Sequence, residues 1–377
     1  MIKIASLVPY KIIPPVTGGE KAVYYFLEGL SAHAPVCCFS VTENSRLSLP
    51  NTNVVPLLGS MRSKTRYINP LLFFRIQKIC RQKEIRHLVI EHPYFGWLGI
   101  LLKWFAGLRL VVHSHNIEST RFRTLKKGWW RLLFIYERFV HRQADLSLFI
   151  SENDRNFGIK RFGLKQGKTL LCTYGIPGLK PAGPAEKASA KEQVTALYGL
   201  RSDTKLLLFN GTLGYQPNLD AVLEIVEKIN PRLEALPGFK YCIIICGKGL
   251  PATLNGLSAY RERNVIYTGF VEDIKVYFEA ADIFINPVTD GGGIKTKLVE
   301  ALAASAQAVS YRSGAIGVDE GLTGGHLRIV EDGDAVAFAT EIARYAHQPP
   351  AELPRAFFDH FDWGSITQRV VAAMEKL

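Results

Sequence analysis

Two stretches of this chain set charged or imidazole side chains where a ligand could reach them. The first, Asn286 to Ala304, reads NPVTDGGGIKTKLVEALAA. Its three glycines let the backbone approach a bound group closely, and the helix pattern that follows offers unpaired N–H groups at its start, a setting that suits an anion. Lys295 and Lys297 fall in the first turn of that helix, where the macrodipole disfavours a cation by roughly 0.3–1 kcal/mol each. A phosphate bound at that end reverses the sign. Glu300 lies about one turn after Lys297, so both can face one ligand, the ammonium toward phosphate and the carboxylate toward ribose hydroxyls. A solvated ion pair on the helix surface is the plainer alternative. The second stretch is His113-Ser114-His115-Asn116-Ile117-Glu118, at the end of the apolar run Leu108–Ser114. One histidine of the pair is expected to face a site. No third histidine or cysteine stands near in sequence, and a metal site is not expected.

These groups need a scaffold, and the hydrophobic pattern describes one. Apolar, strand-like runs occur at Ile2–Val8, Val36–Val41, Val54–Leu57, Arg86–Glu91, Leu108–Ser114, Leu146–Ser151 and Thr169–Tyr174. Helical spacing lies between several of them, at Lys21–Leu30, Asn69–Lys83, Gly128–Ala144 and Asp154–Arg161. A turn-rich, apolar-poor stretch after Gly175, followed by Ala, Lys and Glu, reads as a linker. The alternation then restarts. Strands are expected at Lys205–Asn210, Tyr241–Cys246, Val265–Thr268, Asp282–Pro287, Ala308–Tyr311 and Leu327–Val330, with helices at Leu219–Ile229, Asp273–Ala280, Thr296–Ala304 and Ala335–Ala346. Such alternation implies an α/β chain of two doubly wound domains, 1–178 and 195–355, facing a cleft, with a C-terminal helix at about 360–377 packing back on the first. In sheets of this kind ligands collect beyond the carboxyl ends of the strands. Four short glycine turns fall at such ends: Thr17-Gly18-Gly19-Glu20, Asn210-Gly211-Thr212, Gly247-Lys248-Gly249 and Thr268-Gly269-Phe270. Each alone is unremarkable; together on one rim they would make a nucleotide site from backbone groups.

Composition narrows the partners. The 377 residues are 47% hydrophobic and 21% charged, the balance of an ordinary globular protein. Net charge is +12, distributed unevenly: residues 1–180 carry +17 and the remainder −5, which points to an anionic partner for the first half. Within it, Arg121–Arg142 (RFRTLKKGWWRLLFIYERFVHR) holds seven Lys or Arg residues, one acid and six aromatic residues, Trp129, Trp130, Phe134, Tyr136 and Phe139 among them. That mixture suits an interfacial helix on anionic lipid, with a solvated basic face over packed aromatics as the alternative. No helix-turn-helix, RNP or zinc signature supports nucleic acid. Six cysteines show no CxxC pairing, consistent with free thiols in a reducing cytosol. No signal peptide is evident, and the most apolar stretch, Phe95 to Val112, is interrupted by Lys103 and Arg109. The expected location is the cytoplasm, with peripheral contact at the inner membrane face through Arg121–Arg142.

Taken in order, NGTLGYQPNLDAV, GKG, NVIYTGFVEDIKVYFEAADIFINPV and GGGIKTKLVEALA, with GGE and HSHNIES in the first half, resemble the retaining glycosyltransferases of family 4, enzymes of the GT-B fold with two Rossmann-like domains. The resemblance covers essentially the whole chain and is strongest over 205–330. It implies transfer of a sugar from a nucleotide diphosphate donor, a UDP- or GDP-sugar, to a glycan or lipid-linked acceptor in surface polysaccharide or lipopolysaccharide synthesis, with anomeric configuration retained and neither metal nor other cofactor needed. It further implies that Glu300 holds the ribose hydroxyls, that Lys297 and the Gly292, Gly293 and Ile294 backbone hold phosphate, that Gly19 approaches the diphosphate, and that His115 stands by the transferred sugar. Gly211, Thr212, Gly247, Gly269 and Phe270 complete the nucleotide site. Where relatives carry an acid eight residues before Glu300 this chain has Gly292, which leaves Asp290 to serve the sugar hydroxyls. Tyr215-Gln216-Pro217 stands where an Arg…Lys pair is usual, so Lys297 and Lys295 must supply that charge. An epimerase of the same fold, acting on donor alone, and a membrane-surface or nucleic-acid binding protein with a degenerate site are the rival expectations.

Overall fold

A computed structural model describes residues 2–178, 181–290, 295–348 and 352–377. The chain forms two compact units, one of Met1–Pro177 with Asp359–Leu377, the other of Gly178–Phe358. In the first, seven strands pair in parallel: β1 (Ile4–Val8), β2 (Val36–Ser40), β3 (Thr52–Val55), β4 (His87–Glu91), β5 (Arg109–Ser114), β6 (Leu146–Phe149) and β7 (Thr169–Leu171), in the order β3-β2-β1-β4-β5-β6-β7. In the second, β8 (Lys205–Asn210), β9 (Tyr241–Cys246), β10 (Val265–Gly269), β11 (Ile283–Asn286), β12 (Gln307–Tyr311) and β13 (Leu327–Val330) pair in parallel as β10-β9-β8-β11-β12-β13. All thirteen overlap the apolar runs of the sequence; a parallel strand covered on both faces reads as a near-continuous apolar run, and β1, β2 and β9 are buried throughout, while the edge strand β3 is only partly buried. Each sheet reverses its winding once, between β1 and β4 and between β8 and β11. That reversal opens a crevice at the carboxyl ends of those strands.

Side chains alternate across the first sheet and feed two cores. Ile4, Val8, Val89 and Val111 point to one face, where Phe26 and Leu27 of helix Gly18–His33 meet Trp363, Ile366, Val370 and Met374 of helix Trp363–Met374. Ala5, Leu7, Leu88, Ile90, Leu110 and Val112 point to the other, under helices Leu71–Gln82, Gly96–Ala106 and Trp130–Gln143.

One helix is not among those expected from the sequence, and one boundary differs from what is found. The Phe95–Val112 stretch contains a helix, Gly96–Ala106, whose buried side Leu98, Ile100 and Leu102 occupies the core while Trp104 and Phe105 are exposed. The stretch read as linker and excluded from a domain starting at 195 contains helix Pro184–Leu197. Its buried residues are only Ala190, Val194 and Thr195, too few for an apolar stripe to register. It is fastened instead by polar contacts: Lys191 Nζ lies 2.8 Å from the Asp282 carboxylate, and the hydroxyls of Tyr198 and Tyr277 meet at 2.7 Å. The second unit therefore begins ahead of 195.

Candidate active site

The first unit gathers its chemistry at the carboxyl ends of β1, β4 and β5. His115 lies just past β5, 6% exposed, and Glu91, the last residue of β4, is fully buried. His115 Nε2 is 2.7 Å from Glu91 Oε2. His113 Nδ1 approaches the same oxygen at 2.9 Å without hydrogen-bond alignment. The three rings His113, His115 and His92 form a column, with centroids 4.3 and 4.5 Å apart. His92 carries φ +64°, a conformation that costs a non-glycine residue about 1–3 kcal/mol and is typical of functional turns. Its Nδ1 stands 3.3 Å from Glu118, whose carboxylate accepts from Tyr94 (2.6 Å) and Arg121 (3.0 Å). Glu137, on helix Trp130–Gln143, accepts the backbone N–H of Glu118 and of Ser119 and the Ser119 hydroxyl. The loop after His115 is thus pinned from below.

Electrostatics follow from that geometry. Burial alone would raise the Glu91 carboxyl, but His113 and His115 overcome it and hold the group at about 2. Burial, then the neighbouring His113, pushes the His115 imidazole below its ordinary range. At neutral pH the pair is a carboxylate beside a neutral ring, so Nε2–H donates to Glu91. Nδ1 makes no hydrogen bond among the described residues and is not sealed from solvent, which leaves it as an acceptor for a substrate hydroxyl. Glu91, His113 and His115 also place three potential ligand atoms within 4.8 Å of one another, the third group that the sequence reading found lacking. Yet 2.7 and 2.9 Å are shorter than the roughly 3.3 Å between neighbouring ligands on a tetrahedral metal with bonds of about 2.0–2.1 Å. The arrangement fits a hydrogen-bonded carboxylate better than a coordination shell. Glu91 was missed in the sequence because 24 residues separate it from His115; the only signal was an acid ending an apolar run. Gly19 sits in the first turn of helix Gly18–His33, capped by Thr17 and Glu20, and a Cβ there would meet nothing within 4 Å. The rim is open at that point.

In the second unit the glycine turns after β8, β9 and β10 are laced together. Gly211 N–H donates to Cys246 O (3.0 Å), Leu213 N–H to Lys248 O (2.7 Å) and Gly247 N–H to Gly269 O (2.7 Å). The fit requires glycine: Gly247 has φ +146°, and a Cβ there would lie 1.7 Å from Gly211 O. Gly211, Thr212, Gly247, Gly269 and the exposed Phe270 therefore share one rim. Lys297, at the start of helix Thr296–Ala303, reaches across the winding reversal and donates to Asn210 O at the end of β8, 3.1 Å away. Glu300 stands on the same helix, half-buried. Lys295 caps that helix and donates to the Asp290 carbonyl (3.2 Å), and burial pushes its ammonium below the ordinary range. Gly292, Gly293 and Ile294 lie outside the described residues. Lys248, exposed on the same rim, is a further cation that the sequence reading passed over as part of a turn.

Comparison with known proteins agrees with this architecture. Residues 16–176 match the family model described as Glycosyltransferase Family 4, and residues 204–348 the one described as Glycosyl transferases group 1. The chitobiosyldiphosphodolichol beta-mannosyltransferase of Debaryomyces hansenii is 21% identical over 369 residues, covering 83% of this chain and 77% of that protein. An uncharacterized 44.6 kDa protein in the cps region of Klebsiella pneumoniae is 28% identical over 237 residues, covering 61% of this chain and 55% of its own length. Among solved structures, Anabaena Alr3699/HepE in complex with UDP superposes with a TM-score of 0.68 at 16% identity, covering 100% of both chains. Two Rossmann-like units carrying these matched segments define a GT-B fold. The chain is a glycosyltransferase, with a family 4 segment in its first unit and a group 1 segment in its second.

Proposed function

We propose that the protein is a retaining hexosyltransferase that moves a sugar from a UDP- or GDP-sugar to a glycan or lipid-linked acceptor in surface polysaccharide or lipopolysaccharide synthesis. The observation that carries this reading is the second unit's rim, where three laced glycine turns meet Lys297 and Glu300 at the winding reversal. A helix start carrying a lysine is what a diphosphate needs; the N–H groups that lace the turns hold the rim in place beside it. HepE has been solved with UDP and with UDP-glucose, which supports a nucleotide sugar as donor. The yeast relative is named for a diphosphodolichol-linked acceptor, which favours the lipid-linked alternative, as does the basic first half.

In this reading Lys297, with Lys295, offsets charge on the leaving diphosphate. Glu300 accepts the ribose hydroxyls, Asp290 the sugar hydroxyls, and Gly19 gives the diphosphate room. His115 Nδ1 stands by the transferred sugar. No metal or cofactor is invoked. The enzyme works in the cytoplasm with Arg121–Arg142 against the inner membrane face; among the described residues no helix is long and apolar enough to cross a membrane. A thermal-shift panel of UDP- and GDP-sugars tests the donor. A ligand at a hundredfold its Kd adds about 2.7 kcal/mol of apparent stability, and absence of any shift across the panel overturns the assignment. Product analysis by NMR then reports the anomeric configuration, and formation of an epimeric sugar product from donor alone, without acceptor, would instead identify an epimerase.

A further inference from the structure

Three helices cover one face of the first sheet, and each carries large apolar side chains on its outer side as well as its inner one. Leu71–Gln82 buries Leu72, Ile76 and Cys80 yet exposes Leu71 (57%) and Phe74 (65%). Gly96–Ala106 buries Leu98, Ile100 and Leu102 yet exposes Trp104 (55%) and Phe105 (68%). Trp130–Gln143 buries Leu133 and Val140 yet exposes Leu132 (69%), Ile135 (64%) and Phe139 (46%), at i, i+3, i+7 spacing. The helices are neighbours. All three feed the same core, Phe73 meets Phe105 edge-on at 6.5 Å, and Gln77 donates to Phe105 O. Single exposed apolar residues need no explanation, but seven large ones on three neighbouring helices of one face do.

Charge tells what covers it. Arg75, Lys78 and Arg81 on the first helix, and Arg123, Lys126, Lys127, Arg131, Arg138 and Arg142 along the third and its approach, are all exposed. Where the first two helices end, a cavity of about 980 Å³ is lined by Arg81, Arg86, Arg109, Phe105 and, of opposite sign, Glu84 and Glu375. A protein partner or a second copy of this basic chain would have to bury these cations or oppose them with acids; an anionic bilayer accepts aromatic side chains at its boundary and leaves guanidinium groups among its phosphates.

We propose that this three-helix face is a docking platform for an anionic lipid surface, with Leu71, Phe74, Trp104, Phe105, Leu132, Ile135 and Phe139 entering the headgroup–acyl boundary. The platform extends the contact assigned to Arg121–Arg142 onto two further helices. It rests on the reading of a membrane-bound acceptor, but its test needs neither donor nor acceptor.

The full-length protein is sedimented with vesicles of phosphatidylcholine alone or mixed with phosphatidylglycerol. Binding is expected only to the mixed vesicles, and it should weaken as salt rises. Two triple variants, Phe74→Ser/Trp104→Ser/Phe105→Ser and Leu132→Ser/Ile135→Ser/Phe139→Ser, should each lower the partition coefficient at least about tenfold. Because the substituted positions are exposed, unchanged thermal melting confirms the fold of each variant. No binding by the wild type overturns the platform. Full binding by the first variant confines the contact to Arg121–Arg142 and overturns the extension. A wild-type dimer that either variant dissolves, with no vesicle binding, makes the face a self-association surface and overturns the lipid assignment.

Discussion

Lys297 and Glu300 stand about one turn apart on the helix that follows β11, and Lys297 is already directed across the reversal toward Asn210 O. Losing a charge-assisted contact to phosphate or ribose costs about 1.5–3 kcal/mol. Lys297→Ala and Glu300→Ala should each weaken nucleotide-sugar affinity roughly ten- to hundredfold by calorimetry; unchanged affinity in both would remove the donor site from this helix. His115 makes a different prediction. His115→Ala should abolish transfer while the donor still binds, and Glu91→Gln should lower kcat by about 10²-fold, the scale of a positioned acid–base group. The carboxylate favours the protonated ring, so its removal lowers the His115 pKa. The acidic limb of the pH–rate profile should therefore move to lower pH in Glu91→Gln, a displacement that a purely packing role for Glu91 would not produce. At this scale the sequence was legible where a motif is local. His115, Lys297 and Glu300 announce themselves by their neighbours, whereas Glu91 acquires its meaning only when β4 and β5 pair.

Among elements, legibility tracked hydrophobic pattern. Strands buried on both faces are apolar throughout and were read to within a few residues, and amphipathic helices such as Ala335–Ala346 were read to their ends. Helix Gly96–Ala106 was obscured because outward Trp104 and Phe105 fill the face that polar residues normally mark, and Pro184–Leu197 because it buries so little. The turns of the second unit show how an element constrains a site. Gly247→Ala places a methyl against Gly211 O, and neither backbone can yield without disturbing its hydrogen bonds. A loss of about 2 kcal/mol or more is expected in thermal or urea unfolding, together with weaker nucleotide binding. Glu137 offers a test by pH. Burial, partly offset by Ser119, pushes its carboxyl up from 4.5 to about 7. A folded-state pKa above the unfolded one contributes stability that is complete below about 4.5 and is lost as pH rises through 7. Glu137→Gln has no such titration, so the stability of wild type relative to the variant should fall across that window. A constant difference would mean that the carboxyl does not titrate there.

Over the whole molecule the charge of +17 in residues 1–180 against −5 in the rest fits the proposed division of labour, with one unit toward an anionic environment and the other offering glycine turns and lysines to a small anion. Helix Trp130–Gln143 belongs to both concerns. Its outer side carries Leu132, Ile135 and Phe139, while Glu137 on its inner side grips the N–H groups of Glu118 and Ser119, and Glu118 in turn braces His92 against His115. Such a helix is a lever with one arm in the surroundings and one in the histidine column. If the proposed lipid contact presses on the outer arm, the angle at which the imidazole is presented would change, making the bilayer an input to the rate and not merely a place to stand. With a water-soluble acceptor, anionic vesicles should then raise kcat in the wild type and leave Glu137→Gln unmoved; equal stimulation of both would cut the lever.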